Sequence, residues 1–279
     1  NFDNSSDEFK RIKASLKPDF DDDNFVEELE KEFNLILNRI ESRISIIFED
    51  EHQYNFNNYL ITLIEKENLG GICLNWGCIP TKALLKSAHV FKYLQNAEDY
   101  GLNKVENPGF DFSKVVQRSR GVASKMSGGI QFLMKKNKID VIFGTAKVKP
   151  GKKVAVEKDG AVTEYTAEHI VLATGARSRE LPNLPQDGKK VIGYRQALTL
   201  PKQPKSMIVV GSGAIGVEFA YFYATLGTQV TVVEFMPNIV PVEDEDVSKH
   251  LEKSFKKAKI KVMTNASVES VDTSGEGVK

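Results

Sequence analysis

The sequence predicts an α/β fold of parallel βαβ units, preceded by an acidic helical segment. From Tyr59 onward, short β-rich apolar runs alternate with longer helical stretches, which is the pattern of a parallel sheet with crossover helices. All 20 glycines lie at or beyond Gly70. Residues 1–57 carry a net charge of −8, although the 279-residue chain is balanced at 38 basic and 38 acidic residues. We therefore predict two pieces of different character, joined near residue 57.

The acidic segment has one apolar stripe at helical spacing. Asp23 or Asn24 can cap its start. The stripe consists of Phe25, Leu29, Phe33, Leu37, Ile40 and Ile44. Residues 44–48 alternate as well, so a short strand stays an alternative there. The segment has no catalytic constellation, and one interpretation is an added interaction segment that pairs with another helix.

The elements after this segment follow from apolar runs and turn signals. We expect helices from Pro80 and over roughly Phe112 to Asn137, with Pro80 at its favoured first-turn position. Residues 140–168 are expected to form short strands, with turns at Pro150-Gly151 and Asp159-Gly160. The remaining predictions are a strand ending at Glu65, buried strands at Ile170–Ala173 and Met207–Val210, a helix from Gly216, a strand at Gln229–Glu234, a helix near Val247–Ala258 and a strand at Ile260–Met263.

Composition excludes several classes of function. Zero net charge argues against nucleic acid as the main partner, because phosphate neutralisation needs a basic excess. No apolar run approaches the length that spans a bilayer, so no membrane partner is expected. The first residues have neither a basic region nor an apolar region of a secretory signal, and we expect a cytoplasmic protein. Hydrophobic residues at 41% permit a packed core.

The strongest nucleotide-binding signal is a GxGxxG motif between a buried strand and an apolar helix. Gly211 permits a tight turn, Gly213 permits close approach of a pyrophosphate, and Gly216 permits close packing of helix and strand. The phosphates would lie at the helix N-terminus, and the predicted cofactor-binding run is Gly211, Ser212, Gly213, Ala214, Ile215 and Gly216. We therefore predict a Rossmann-like dinucleotide-binding domain.

An acid follows this motif at the expected distance. Glu234 ends the next strand, 23 residues after Gly211. It is predicted to accept a hydrogen bond from the ribose 2′-hydroxyl and to repel a 2′-phosphate, which favours NAD over NADP. The alternative is a glycine-rich turn that binds no ligand, but the strand, loop, helix and acid all stand in register.

The chain's only two cysteines are separated by four residues. Cys73 and Cys78 lie in a run from Gly70 to Lys82, and no second Cys/His pair completes a zinc site, so we predict no metal. A redox-active dithiol is the favoured interpretation over two free buried cysteines. Cys78 precedes the helix that Pro80 begins, where the helix dipole lowers a thiol pKa, and Lys82 adds a cation on the same face.

The run Gly70–Lys82 resembles the redox-disulfide motif of the pyridine nucleotide–disulfide oxidoreductases. Within this family the surrounding residues are most similar to the class I dihydrolipoyl dehydrogenases, from about Leu60 to the end of the chain. Ala173-Thr174-Gly175-Ala176 and Glu243-Asp-Glu-Asp246 belong to this resemblance. The resemblance implies FAD and NAD as cofactors and the transfer of electrons from dihydrolipoyl groups to NAD. It also implies a homodimer at full length, and the lipoyl domain of 2-oxoacid dehydrogenase complexes as partner.

The resemblance also implies residue roles. Cys73 would exchange with the dithiol substrate, Cys78 would face the flavin, and Lys82 would lie beside the flavin ring with Glu218 as its pairing partner. Glu65 would bind the adenosine ribose of FAD. The remaining residues implied to contact FAD are Gly70, Gly71, Ala146, Thr174 and Gly175.

The sequence departs from the family pattern at both ends. No glycine precedes Gly70, so the first GxGxxG of the family, which cradles the FAD pyrophosphate, is missing ahead of Glu65. None of the histidines, which are His52, His89, His169 and His250, has the context of the family's catalytic base. We therefore expect a fragment with a divergent N-terminus, and a colourless, almost inactive chain.

These features predict three regions and leave two functions open. Residues 1–57 form the acidic helical segment, residues 58–182 a partial FAD-binding domain with the redox disulfide, and residues 183–279 a truncated NAD-binding domain. The predicted function is a flavin-dependent disulfide oxidoreductase. The alternative is an inactive fragment that retains only NAD binding.

Overall fold

The computed structural model describes residues 61–279. The predicted acidic helix, its alternative strand and His52 lie outside the described residues. Among the described residues, the order of strands and helices confirms the predicted α/β fold. No described helix is both long and apolar enough to cross a bilayer.

The first part of the described chain, residues 61–143, is called the cysteine region below. Strand β1 (Thr62–Glu65) pairs in parallel with β2 (Asp140–Phe143), with Thr62 opposite Asp140 and Glu65 opposite Phe143. Three helices connect these strands: α1 (Gly71–Trp76), α2 (Cys78–Gln95) and α3 (Phe112–Lys136). A short 3₁₀ turn (Ala97–Tyr100) follows α2. The two predicted helices are confirmed, although the first begins at Cys78, two residues before Pro80.

An antiparallel meander follows the cysteine region. Its strands are β3 (Thr145–Lys149), β4 (Lys153–Lys158) and β5 (Ala161–Thr166), in the order β3–β4–β5. The predicted turns are confirmed, and Gly151 and Gly160 have left-handed φ angles of 77° and 81°. Lys149 and Lys153 both pair with Glu164 across the meander.

The prediction of a buried strand at Ile170–Ala173 is wrong. The backbone there forms no strand, and the side chains of Val171 and Leu172 are 87% and 71% exposed. An apolar run becomes a buried strand only when a neighbouring strand supplies hydrogen-bond partners and a second layer covers its face. Among residues 61–279, no strand pairs with this run.

The last part of the described chain contains a second parallel sheet, and residues 206–263 are called the glycine-loop region below. Strands β6 (Ser206–Val210), β7 (Gln229–Val233) and β8 (Lys261–Met263) lie in the order β6–β7–β8. Helix α5 (Ala214–Thr225) connects β6 to β7, and α6 (Glu245–Lys257) connects β7 to β8. The short helix α4 (Tyr194–Ala197) precedes this region. The predicted order of strands and helices is confirmed here, with end points shifted by one or two residues. The prediction that the strand at Met207–Val210 is buried is wrong, because Ile208 and Val210 of β6 are 53% and 39% exposed.

One apolar core joins the two regions. Leu84 of α2 and Phe112 of α3 pack with Phe222 of α5, and Val232 of β7 belongs to the same cluster. Tyr223 at its centre is fully buried and donates its hydroxyl to the backbone oxygen of Ala197 at 2.6 Å. Burial raises the pKa of this phenol well above its usual value. The cysteine region and the glycine-loop region are therefore fixed against each other through α2 and α5.

Candidate dithiol and nucleotide site

The two cysteines form a disulfide in an exposed turn between two helices. Cys73 lies in α1 and Cys78 is the first residue of α2, and their Cα atoms are 4.8 Å apart. Both residues are exposed. The predicted disulfide is therefore confirmed, and it is accessible from the surface of the described residues. No cluster of His, Cys, Asp and Glu in residues 61–279 is suited to holding a metal ion.

Buried hydrogen bonds hold the turn that carries the disulfide. The Asn75 side chain, which is 6% exposed, donates to the backbone oxygens of Leu69 and Gly71 at 2.8 and 2.9 Å. The buried Ser119 hydroxyl of α3 donates to the Pro80 oxygen at 2.7 Å. Because buried polar groups are costly to leave unpaired, these bonds fix the position of the α2 N-terminus. Cys78 therefore lies at the positive end of a rigid helix, where a thiolate is stabilised.

An ion pair links the dithiol helix to the nucleotide helix. Lys82 of α2 donates to Glu218 of α5, the residue that the sequence analysis assigned to it. The Lys82 side chain is 63% exposed and that of Glu218 is 28% exposed. A half-exposed pair of this kind contributes little to stability. It does place a cation on the helix that begins with Cys78.

The glycine loop between β6 and α5 has the geometry of a dinucleotide-binding turn. Gly211 has a left-handed φ of 94°, which a residue with a side chain rarely adopts. A Cβ at Gly216 would lie 2.1 Å from the Gly211 oxygen, whereas a Cβ at Gly213 would meet nothing within 4 Å. Gly216 therefore permits the close packing of helix and strand, and Gly213 leaves open space before the α5 N-terminus. The first N–H groups of α5 face that space and suit an anion.

Glu234 and Ser212 are brought together at the end of β7. Glu234 is 6% exposed and accepts hydrogen bonds at Oε2 from the Ser212 backbone N–H at 2.7 Å and from the Ser212 hydroxyl at 2.6 Å. Its Oε1 accepts from the Met236 N–H at 2.8 Å. Burial raises the pKa of Glu234, but the Met236 and Ser212 donors outweigh it and hold the pKa below its usual value. The carboxylate is therefore ionised beside the glycine loop.

The residues implied for FAD are less closely grouped than those of the glycine loop. Glu65 ends β1, is half-buried, and accepts from the N–H groups of Glu67 and Asn68 at 2.7 and 3.1 Å. Gly70 and Gly71 both have left-handed φ angles. Ala146, Thr174 and Gly175 are all exposed, the last two directly after the run that forms no strand. Of these residues, Glu65, Gly70 and Gly71 lie in the segment that joins the end of β1 to Cys73.

The structure also shows a cluster that sequence reasoning missed. The guanidinium carbons of Arg120 and Arg195 lie 4.2 and 5.1 Å from the ring centre of Trp76, beside the disulfide turn. Arg195 and Arg177 pair with Glu67, and their hydrogen bonds hold the pKa of Glu67 below its usual value. These residues are up to 128 positions apart in sequence. The chain's single tryptophan beside the cysteines was the only local signal for this cluster.

Comparison with known proteins identifies the family. The family model for pyridine nucleotide-disulphide oxidoreductases matches residues 50–279. The chain belongs to this family. Two similar relatives are a dihydrolipoyl dehydrogenase from Zymomonas mobilis, 46% identical over 222 residues, and one from Chlorobaculum tepidum, 50% identical over 217 residues. The alignments cover 79% and 77% of this chain and 47% and 46% of the relatives, so the chain spans about half the length of the curated relatives it matches.

Solved structures with a similar fold include two bacterial proteins. The crystal structure of LpdA from Mycobacterium tuberculosis matches with a TM-score of 0.72 and 30% sequence identity, covering 78% of this chain and 48% of that chain. RclA from Escherichia coli, a HOCl-induced flavoprotein disulfide reductase, matches with a TM-score of 0.66 and 28% identity, covering 79% of this chain and 47% of that chain. The pyridine nucleotide-disulphide oxidoreductases use FAD and NAD(H). These findings favour the oxidoreductase over the inactive fragment.

Proposed function

We propose that this chain is part of a dihydrolipoyl dehydrogenase, which passes two electrons from dihydrolipoyl groups to NAD through FAD and the Cys73–Cys78 disulfide. The observation that carries the proposal is the exposed disulfide at the N-terminus of α2. A buried structural disulfide would leave no room for a dithiol to attack. The glycine-loop region supplies the nucleotide part of the same reaction through α5 and Glu234.

The cysteines perform the first half of the reaction. A thiolate of the dihydrolipoyl group attacks Sγ of Cys73, the bond to Cys78 breaks, and Cys78 leaves as a thiolate. The second lipoyl thiol then attacks the lipoyl sulfur of the mixed disulfide and releases Cys73. The lipoyl group becomes a disulfide, and the protein disulfide becomes two thiols. Cys78 is the better leaving group because the α2 N-terminus and the Lys82 cation both stabilise its thiolate.

The glycine loop and Glu234 suit NAD. The open space before Gly213 and the first N–H groups of α5 would receive the pyrophosphate. The ionised Glu234 would accept from the ribose 2′-hydroxyl and repel a 2′-phosphate. Its carboxylate lies at the carboxyl end of β7, where nucleotides bind in open parallel sheets.

The residues around the disulfide fit FAD in part. Glu65 stands at the end of β1, with Gly70 and Gly71 between it and Cys73, and these residues would hold the adenosine ribose and the adjoining part of the cofactor. Thr174 and Gly175 would contribute backbone contacts. When bound, FAD supplies the step that converts the electrons of the dithiol into a hydride for NAD. Lys82, held by Glu218, would lie beside the flavin ring.

The proposal extends to partners and compartment. The lipoyl domain of a 2-oxoacid dehydrogenase complex is the proposed source of the dithiol, and a homodimer is the proposed assembly of the full-length protein. We place the reaction in the cytoplasm, because a lone cysteine pair used for catalysis is typical of reducing compartments.

The direct test is thiol counting after exposure to dihydrolipoamide. The purified chain is incubated anaerobically with dihydrolipoamide, quenched with an alkylating agent and weighed by mass spectrometry. We expect two alkylated cysteines per chain. Cys78→Ser has no protein disulfide and is instead given oxidised lipoamide, whose disulfide the Cys73 thiolate should open to a mixed disulfide and one free lipoyl thiol. In Cys73→Ser the lipoyl group should form no such adduct. A disulfide that stays closed under dihydrolipoamide but opens with dithiothreitol would contradict the proposal.

A further inference from the structure

Ser212 differs from the other residues of the glycine loop in where its side chain lies. The residue is fully buried, whereas its neighbours Gly213, Ala214 and Ile215 are exposed. Its hydroxyl donates to Glu234 Oε2 at 2.6 Å, and its backbone N–H donates to the same oxygen at 2.7 Å. Neither donor of Ser212 is therefore directed to a phosphate. Both donors are directed to Glu234, the acid that would bind the nucleotide ribose.

A second contact fixes the direction of the Ser212 hydroxyl. The Val240 backbone N–H donates to the Ser212 oxygen at 3.1 Å and to Oγ at 3.2 Å. The hydroxyl therefore accepts from Val240 and donates to Glu234. Val240 is buried and has a left-handed φ of 43°, an unfavourable conformation for a β-branched residue. Surrounding contacts must hold such a conformation, and the two bonds to Ser212 are among them.

We propose that Ser212 is the positioning residue for nucleotide specificity: its hydroxyl holds the Glu234 carboxylate at the glycine loop and so sets the preference for NAD over NADP. This inference rests on the proposed function in that the loop binds NAD. Ser212 acts through Glu234 and not through contact of its side chain with the nucleotide.

The physical reason is the limited freedom of a buried carboxylate. Glu234 Oε2 takes both of its bonds from Ser212, whereas Oε1 is held by Met236. Without the hydroxyl, one lone pair of a buried charge loses its hydrogen-bond donor, which is unfavourable for a charged group. The side chain then gains freedom to rotate away from the loop. A displaced Glu234 carboxylate repels a 2′-phosphate less strongly and accepts a weaker hydrogen bond from a 2′-hydroxyl.

The experiment is calorimetric titration of the purified chain with NAD and with NADP. We expect wild-type protein to bind NAD at least tenfold more tightly than NADP. In Ser212→Ala this ratio of dissociation constants should fall by about tenfold, which corresponds to about 1.4 kcal/mol. Ser212→Thr retains the hydroxyl and should restore the ratio. Ser248→Ala is the matched control, because it removes another buried serine hydroxyl, one that is bonded to the Asp244 backbone oxygen.

The outcomes separate this inference from the proposed function. If Ser212→Ala weakened both nucleotides equally and kept the ratio, Ser212 would be merely structural and the inference would be wrong. If the wild-type chain bound neither nucleotide, the NAD site itself would be refuted, and this role of Ser212 with it. Should Ser212→Ala fail to fold, Ser212→Cys tests the same point with a weaker donor of similar size, and an unchanged ratio there would also overturn the inference.

Discussion

Glu65 and Glu234 each lie at the carboxyl end of a parallel strand, Glu65 as the last residue of β1 and Glu234 directly after β7, yet their surroundings differ. Each accepts a hydrogen bond from the N–H two residues later, Glu67 for Glu65 and Met236 for Glu234. Glu234 is buried and also accepts two bonds from Ser212 in the glycine loop before it. Glu65 is half-buried, and within the described residues its carboxylate accepts only from the loop that follows it.

The glycine loop supplies hydrogen-bond donors that an acid at the end of a strand otherwise lacks. The acid at the end of β1 only closes a turn, whereas the acid with a glycine loop beside it is a buried, ionised group at the proposed nucleotide site. The strands show the same contrast. Val232 of β7 has a strand on each side and is fully buried, whereas Val171 lies in a run that pairs with no strand among residues 61–279 and is 87% exposed. Four predictions test this comparison.

The largest expected effect is at Gly216. A Cβ there would lie 2.1 Å from the Gly211 oxygen, so Gly216→Ala must displace the loop or the helix. We expect a loss of about 3 kcal/mol in the free energy of unfolding, at the upper end of overpacking costs, together with the loss of NAD binding. Urea denaturation and NAD titration measure the two effects. Gly213→Ala adds its Cβ to open space, so it should leave the free energy of unfolding unchanged while weakening NAD binding. Equal stability of both variants would contradict the packing role of Gly216.

The second prediction compares one substitution in the two settings. Val232→Ala removes two buried methyl groups from β7 and should cost about 2 kcal/mol of unfolding free energy. Val171→Ala removes the same groups from an exposed run and should change stability by less than about 0.5 kcal/mol. Both values come from urea denaturation. If Val171→Ala proved as costly as Val232→Ala, this run would be packed in solution and the contrast would be lost.

The third prediction concerns pH. Because the folded-state pKa of Glu234 is lowered, its contribution to stability is present above the ordinary glutamate pKa and is lost as pH falls through the folded pKa. Glu67 and Asp187 contribute with the same sign. Glu234→Gln should cost about 1.5 kcal/mol near neutral pH and should flatten the acid limb of the stability curve. Parallel curves for wild type and Glu234→Gln would refute the ionised, buried carboxylate.

The smallest effect on stability is expected at the ion pair between the two regions. Lys82→Met removes a side chain that is 63% exposed and should change the unfolding free energy by less than about 0.5 kcal/mol. The alkylation rate of reduced Cys78 near neutral pH should nevertheless fall, because the thiol pKa rises when a nearby cation is lost. Lys82→Arg should retain the rate. An unchanged alkylation rate in Lys82→Met would show that Lys82 does not stabilise the Cys78 thiolate.

Most of the fold could be predicted from local sequence patterns. The helix from Phe112 and the turns at Gly151 and Gly160 follow from periodicity and turn chemistry within a few residues, and the structure agrees. The strand predicted at Ile170–Ala173 could not be judged from the run alone, because its burial depends on pairing with strands elsewhere in the sequence.

The site was predicted to a similar depth. The disulfide and the Lys82–Glu218 pair were anticipated on the family motif. The bond between Ser212 and Glu234 was not, because it joins residues 22 positions apart through the geometry of two loops. The stacking of Arg195 near Trp76 was missed for the same reason, since no local pattern brings these residues together.

In the proposed function, one chain carries both a redox disulfide and an NAD-selective nucleotide site, and the two exchange electrons. The most direct measurement is the number of thiols formed anaerobically by NADH or by NADPH in the presence of added FAD. NADH plus one proton should convert the Cys73–Cys78 disulfide into two thiols and yield NAD, whereas NADPH should produce thiols far more slowly. Equal thiol yields from NADH and NADPH would contradict the preference for NAD. A disulfide that stays closed with NADH but opens with dihydrolipoamide would contradict electron transfer between the two sites.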